Sequence, residues 1–131
     1  AEQQSFEQLR EALADAADLA FPRLDLINKD NPLTLVTDSS EIGVNAILSQ
    51  KIDNVPRILG YYSLKLSPAQ QKWSATEREM WAVISGVKHF SHLITGSPLQ
   101  IVTDSKPITA LLTKPSTSHR LQRWADFLSN Y

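Results

Sequence analysis

Two aspartates occupy the same position in two matching segments of the chain. Residues 33–39 read LTLVTDS and residues 99–105 read LQIVTDS, so Asp38 and Asp104 each follow a short apolar run that is typical of a buried strand. The carboxyl ends of such strands are where open α/β sheets bind their ligands. If the two strands are parallel neighbours, about 4.8 Å apart, the two carboxylates lie side by side. Close carboxylates repel unless a cation lies between them, and hard oxygen ligands of this kind suit Mg²⁺ or Mn²⁺.

The same two segments allow other interpretations. Asp followed by Ser at the end of a strand is common turn and cap chemistry. The spacing alone also fits a phosphate-handling or receiver-like domain. The repetition of the pattern on two matched strands favours one shared site over two unrelated turns.

A third carboxylate is expected from a long apolar helix that begins after Ser74. Glu77 lies three residues beyond Ser74 and completes a capping box with it, which gives Glu77 a structural role. Glu79 has no such role and shares a helical stripe with Val83 and Gly86, so a stripe packed on the sheet carries it inward. Helical periodicity does not separate the two cleanly, because Glu77 also neighbours apolar positions. We favour Glu79.

The elements that position these residues follow a mixed α/β order. The predicted elements are a helix over 5–20, strands over 33–38, 44–50 and 57–64, a helix from 74 to about 93, a strand over 99–104, and helices over 107–112 and 119–131. Three successive strands joined by short turns, the second of them at Asp53 and Asn54, predict an antiparallel meander. No low-complexity segment or linker divides the chain.

Composition and charge narrow the classes of function. The 131 residues are 42% hydrophobic and 21% charged, which is typical of one globular domain. The absence of cysteine excludes disulfides and thiolate metal sites. A net charge of −1, from 13 basic and 14 acidic residues, excludes nucleic-acid binding by bulk charge, so such a partner requires a local patch. No apolar run approaches the roughly 18 residues that cross a bilayer and no signal peptide opens the chain, so we expect an intracellular protein.

A basic segment follows the second aspartate and is a candidate for such a patch. Residues 105–125 contain no acid, and their cations can contact phosphates beside Asp104 or form a solvated helix face. The basic side chains of this segment are Lys106, Lys114, Arg120 and Arg123, together with His119. The three tryptophans Trp73, Trp81 and Trp124 can stack on bases, although we expect Trp81 and Trp124 to pack in a core or an interface.

Four segments resemble the ribonuclease H domain of Ty3/gypsy-type retrotransposon polyproteins. They read TDSSEIGVNAILSQ, LGYYSLKLSPAQQKWSATEREMWAVISGVKHFSHLITG, LQIVTDSKPITALL and HRLQRWADFLSNY. The resemblance runs from about Ser5 to Tyr131. It implies an RNase H-like α/β fold: a mixed sheet with three antiparallel strands, a fourth strand parallel to the first, and helices on the faces. It also implies that residues 1–28 are the tail of the reverse transcriptase connection region and that residues 29–131 form the RNase H-like domain.

The resemblance implies a site as well as a fold. By position, the family's metal-binding carboxylates fall on Asp38, Glu79 and Asp104, which supports Glu79 over Glu77. The implied activity is hydrolysis of the RNA strand of an RNA–DNA hybrid, with two Mg²⁺ (or Mn²⁺) ions at this cluster. The implied partners are the hybrid and the polymerase domain of the same polyprotein, in a cytoplasmic virus-like particle or in the nucleus. Candidate contacts to nucleic acid are Ser39, Ser105, Lys106, Lys114, Arg120 and Arg123.

The sequence departs from the family pattern after Tyr131. There the family continues with a fifth strand and a helix that carries a fourth aspartate. The chain is then either a fragment of a longer polyprotein or a domain that has lost this element. The second alternative predicts a catalytically weak or inactive structural or dimerisation module, in which the exposed edge of the 99–104 strand pairs with another chain as a homodimer. A further alternative is another nuclease or strand-transfer enzyme of the same fold.

Overall fold

The computed structural model describes residues 22–103 and 119–129, and a four-stranded mixed sheet is the centre of the described part. Its strands are β1 (Leu33–Ser39), β2 (Gly43–Ile52), β3 (Val55–Lys65) and β4 (Leu99–Val102). They are arranged in the order β3-β2-β1-β4. The pairs β1–β2 and β2–β3 are antiparallel, and β4 runs parallel to β1. The predicted α/β architecture, with the fourth strand parallel to the first, is confirmed.

A tight turn sets the length of the β2–β3 hairpin. Asp53 and Asn54 have positive φ values of 54° and 64°, as a two-residue type I′ turn requires. Because the twist of this turn matches the twist of the strands, pairing continues up to Ile52 and Val55. The turn was predicted, but the two strands are longer than the predicted 44–50 and 57–64.

The helices in the described ranges are α1 (Pro68–Gln71), α2 (Ala75–His89), α3 (Ser91–Ile94) and α4 (His119–Leu128), with a 3-10 helix at Leu24–Leu26. None of them is long and apolar enough to cross a bilayer. The predicted helices over 5–20 and 107–112 lie outside the described residues.

The long helix ends earlier than predicted. It was expected to continue to about Leu93, but Phe90 adopts φ −97° and ψ 13°, and a separate short helix follows. The Phe90 ring is buried against Gly60 of β3, where an added Cβ would lie 2.7 Å from the ring. This contact with the sheet fixes the aromatic side chain at the point where α2 stops.

One face of the sheet packs on α2 to form the main core. The buried residues shared between the sheet and α2 are Leu33, Leu35, Ala46, Leu48, Met80, Val83, Ile84 and Val87. Full burial of each large aliphatic side chain stabilises the fold by about 1.5–3 kcal/mol. On the other face, Val36, Ile47 and Ile58 form a second buried cluster with Val102 against it. Since the side chains of β1 alternate between these clusters, this strand is buried on both faces, as its apolar sequence predicted.

Candidate active site

Asp38 lies at the carboxyl end of the strand that is paired on both sides. It is the sixth residue of β1, is half-buried and faces Asn45 in the antiparallel register with β2. Val36, two residues earlier, pairs with Val102 of β4 in the parallel register. The neighbouring Ser39 ends β1 and is also half-buried. Of the other predicted site residues, Asp104, Ser105, Lys106 and Lys114 lie outside the described residues.

Glu79 lies on α2 near the same end of β1. Gly86 of α2 sits over the Leu35 and Ala46 side chains, whereas Ala82 packs with Val44, which pairs with Ser39. The helix therefore runs antiparallel to β1, and its amino-terminal turns reach the carboxyl end of that strand. Glu79 is half-buried and lies about one turn before Ala82.

The two carboxylates approach this end from different sides of the sheet. Successive side chains of a strand point to opposite faces of the sheet. Asp38 therefore lies on the same face as Val36, which is the face opposite α2. Glu79 belongs to the helix that covers the face of Leu35. A ligand held by both residues therefore has to lie at the carboxyl end of β1, beyond Val36, the last residue paired with β4.

Glu77 has the structural role that the capping motif predicted. Its carboxylate accepts a hydrogen bond from the backbone N–H of Ser74, whose hydroxyl accepts from the backbone N–H of Glu77. Arg120 of α4 also donates to Glu77 Oε2 at 2.6 Å. Burial alone would raise the pKa of Glu77, but the hydrogen bonds from Arg120 and Ser74 outweigh it and hold this pKa below its ordinary value. Glu77 is thus a charged partner within the fold.

Arg120 is part of an aromatic cluster that docks α4 on the start of α2. Its guanidinium lies 4.3 Å from the centre of the Trp73 ring, in addition to its ion pair with Glu77. Trp124 lies 5.6 Å from Trp73 and 5.9 Å from Trp81, measured between ring centres. These contacts engage the guanidinium within the fold although the side chain is 39% exposed, and the assignment of Arg120 to nucleic acid stays a prediction.

The three tryptophans lie in one cluster, whereas Arg123 is exposed. Trp81 and Trp124 pack together as expected, and both also pack against the main core. Trp73, which was left open between base stacking and packing, belongs to the same cluster. Arg123 is exposed on α4, where the sequence predicted a contact to nucleic acid.

The chemistry of the carboxylates fits a hard divalent cation in part. Asp38 and Glu79 offer the oxygen ligands that Mg²⁺ and Mn²⁺ prefer. Within the described ranges, no three Asp, Glu, His or Cys side chains form a group that could hold a metal ion. The third predicted ligand, Asp104, falls outside those ranges.

Two buried polar atoms belong to residues close in sequence to the two carboxylates. Thr37 Oγ1 and Trp81 Nε1 have no hydrogen-bond partner in the described chain, and they belong to residues next to Asp38 and two positions from Glu79. Each such atom costs about 1–3 kcal/mol when it is left unsatisfied. Thr37 alternates with Asp38 and therefore faces α2, and Trp81 packs against Trp73 and Trp124, so neither atom is placed to assist a metal ion at the carboxylates.

A polar row that the sequence analysis did not single out extends from Asp38 across the sheet. Asn45 of β2 pairs with Asp38, and Ser63 of β3 pairs with Asn45. Register partners present their side chains on the same face, and Ser63 Oγ donates to Asn45 Oδ1 at 2.9 Å. The alternation of side chains along a strand shows which residues share a face, but only the strand register shows which residues of neighbouring strands lie side by side.

The chain is similar to transposon polyproteins and matches one family model. The model described as the RNase H-like domain found in reverse transcriptase matches residues 28–131. The Tf2-3 and Tf2-4 transposon polyproteins of Schizosaccharomyces pombe are each 34% identical over 133 residues, covering 98% of this chain and 10% of the polyprotein. The chain therefore spans about a tenth of the length of these curated relatives.

Solved structures with the same fold come from a foamy virus. The foamy viral protease-reverse transcriptase in complex with dsDNA matches with a TM-score of 0.64 and 18% identity, over 96% of this chain and 26% of that chain. The same viral enzyme in complex with an RNA/DNA hybrid matches with a TM-score of 0.63 and 16% identity, over 98% of this chain and 17% of that chain. At these identities the likeness establishes the fold alone.

Proposed function

Because the chain belongs to the family of RNase H-like domains found in reverse transcriptases, we propose that it hydrolyses the RNA strand of RNA–DNA hybrids in a reaction that depends on divalent metal ions. The polyprotein relatives support a role as one domain of a longer chain, next to a polymerase domain, during reverse transcription. The foamy viral structure that contains a hybrid supports this class of substrate.

The observation that carries the proposal is the parallel pairing of the two matched strands. Val36 pairs with Val102, and each is followed two residues later by an aspartate, Asp38 and Asp104. The direction of α2 adds Glu79 at the same end of β1. Asp38 and Glu79 thus lie on elements that lead to one end of the sheet, and β4 ends at Val102, two residues before Asp104 in the sequence.

The proposed ligands of two Mg²⁺ or Mn²⁺ ions are Asp38, Glu79 and Asp104. Bound ions would neutralise the phosphate charge and increase the acidity of the attacking water. The three carboxylates would hold the ions in place, and the burial of β1 on both faces gives Asp38 a rigid support. Recognition of the hybrid would rely on groove shape and 2′-hydroxyl groups, with Ser39 and Arg123 as contacts.

The test compares carboxylate variants with a matched control. We expect Asp38→Asn and Glu79→Gln to lower the rate of hybrid cleavage in Mg²⁺ or Mn²⁺ on the order of a hundredfold or more, since metal ligation contributes several kcal/mol. The control Asp53→Asn removes the same charge from the exposed turn at the far end of the hairpin, where Asn accepts the positive φ. This variant should cleave like the parent.

Three results would contradict the proposal. Equal losses in all three variants would indicate a general effect of charge. Cleavage of a DNA duplex as fast as the hybrid would indicate another nuclease of the same fold. A folded parent chain without metal-dependent cleavage would favour the non-catalytic structural or dimerisation module.

A further inference from the structure

A shallow concavity adjoins Asp38 on the face of the sheet opposite α2. It has a volume of about 460 Å³ and lies where the β1–β2 turn meets the end of β3. Its polar lining comes from Ser40, Asn45, Ser63 and Lys65, and its apolar lining from Ile42 and Leu64. Because the concavity is open to solvent, it suits a chain that runs across the surface better than a small molecule that has to be enclosed.

Asn45 has unused hydrogen-bond donors in this concavity. Its Oδ1 accepts a hydrogen bond from Ser63 Oγ, so Nδ2 lies on the other branch of the side chain, away from Ser63. Within the described chain, neither hydrogen on Nδ2 has a recorded acceptor. Asn45 is exposed and lies one strand spacing, about 4.8 Å, from Asp38. Two donors thus face the surface directly beside the proposed metal ligand.

The positive charge of the concavity comes from Lys65, which lies farther from Asp38 than Asn45 does. Among the described residues that line it, Lys65 alone is charged, and it is exposed at the end of β3. A cation in the place of Asn45 would pair with Asp38 and compete with a metal ion there. A neutral amide next to the carboxylate, with a lysine at a greater distance, attracts an anion without that competition.

We propose that Asn45, Ser63 and Lys65 bind a backbone phosphodiester of the nucleic acid, next to the phosphate held at Asp38. Asn45 Nδ2 donates to a phosphate oxygen, Ser63 orients the amide, and Lys65 supplies the positive charge. This assignment rests on the proposed function, because it takes the strand at Asp38 as its ligand. It adds a contact that positions the strand without reading its sequence.

Salt dependence of hybrid binding tests the contribution of Lys65. Affinity for a short RNA–DNA hybrid is measured at several salt concentrations in the Glu79→Gln background, so that the hybrid is not consumed. Loss of one phosphate contact reduces the slope of log affinity against log salt by about 1. We expect this reduction in Lys65→Gln. The control Lys51→Gln, at the other end of β2, should keep the parent slope, and equal slopes for both variants would overturn the proposal.

The neutral donor has a different expected signature. Asn45→Ala should weaken hybrid binding roughly three- to tenfold with an unchanged salt slope, because it removes an uncharged hydrogen bond. In the active parent, the same variant should raise KM with little change in kcat. Unchanged affinity and KM in a folded Asn45→Ala protein would overturn the role of the amide.

The strand that is contacted can be identified with neutral phosphates. Methylphosphonate groups are placed opposite the concavity in either the RNA or the DNA strand. The difference in hybrid affinity between the parent and Lys65→Gln should disappear when the contacted strand is modified and persist when the other strand is modified. A difference that persists with both modified strands would contradict a phosphate ligand. Failure of the proposed function gives a different result. The parent chain would then neither bind nor cleave the hybrid, and substitutions at positions 45 and 65 would make no difference.

Discussion

Glu77 and Glu79 lie two residues apart on one helix and have different surroundings. Glu77 is held by Ser74 and Arg120, whereas no ion pair of Glu79 is recorded in the described ranges. A carboxylate with a fixed cationic partner is a poor metal ligand, because the ion would have to displace that partner. Among the described residues, these contacts favour Glu79 over Glu77 as the acid of α2 for the proposed cation site.

The ion pair of Glu77 predicts a pH-dependent contribution to stability. The pKa of Glu77 in the folded chain lies below the ordinary value of 4.5, so the stabilisation is complete above that value and is lost as pH falls through the folded pKa. Glu77→Gln keeps a side chain that capping boxes accept and removes the charge. At neutral pH, we expect the free energy of unfolding of the parent to be about 1 kcal/mol higher than that of Glu77→Gln.

Urea denaturation across the acidic range measures this difference. The difference between the parent and Glu77→Gln should shrink as pH falls below about 4.5. Glu41→Gln removes the same charge from an exposed position in the β1–β2 turn and is the matched control. A difference that stays constant down to strong acid would mean that the amide disrupts the cap.

At the scale of elements, the close approach of α2 to the sheet determines where Glu79 lies. Gly86 allows this approach, since a Cβ at this position would lie 2.9 Å from Ala46 Cβ. Ala46 Cβ is bonded directly to the strand backbone and cannot move aside as the end of a long side chain can. A larger residue at position 86 must therefore displace the helix, and with it Glu79.

Gly86→Ala should thus destabilise the fold although alanine favours helices. We expect a net loss of about 1–2 kcal/mol, because overpacking costs about 1–3 kcal/mol and helix propensity returns up to about 1 kcal/mol. Ala46→Gly in the same chain makes room for the new methyl group and should recover part of the loss. A double-mutant cycle by urea denaturation checks this, and strictly additive effects would contradict the contact.

Local chemistry determines some of these elements, and contacts between distant residues determine others. The capping box at Ser74 and the turn at Asp53 and Asn54 depend on local chemistry, and both were predicted correctly. The end of α2 was predicted wrongly because it depends on the contact between Phe90 and Gly60, which are distant in the sequence. The strand register also depends on contacts between distant residues, so the sequence did not predict that Asn45 and Ser63 lie beside Asp38.

At the scale of the whole molecule, the proposed metal site exists only in the folded chain. Asp38 and Glu79 come from a strand and a helix that are separated by the entire β2–β3 hairpin. Ions that bind the folded chain and not the unfolded chain stabilise it by mass action. At the proposed site, folding without ions would bring like charges together, a cost that metal binding would relieve.

Thermal and chemical unfolding should reveal this linkage without an activity assay. At ten times the dissociation constant, Mn²⁺ should stabilise the parent by about 1.4 kcal/mol. Asp38→Asn should be at least as stable as the parent without metal and should gain little when Mn²⁺ is added. Asp53→Asn should follow the parent in both conditions, and equal metal effects in all three chains would contradict a site at Asp38.

The hairpin turn also offers a place to modify the protein. Ten residues of β2 separate Asp53 from the Asp38 end of the sheet, roughly 30 Å at the rise of an extended strand. Exposed turns tolerate insertions and new chain ends far better than paired strands do. An epitope or a fluorophore attachment peptide spliced between Asp53 and Asn54 would therefore report on the domain inside a large polyprotein while the carboxylates stay accessible to their substrate.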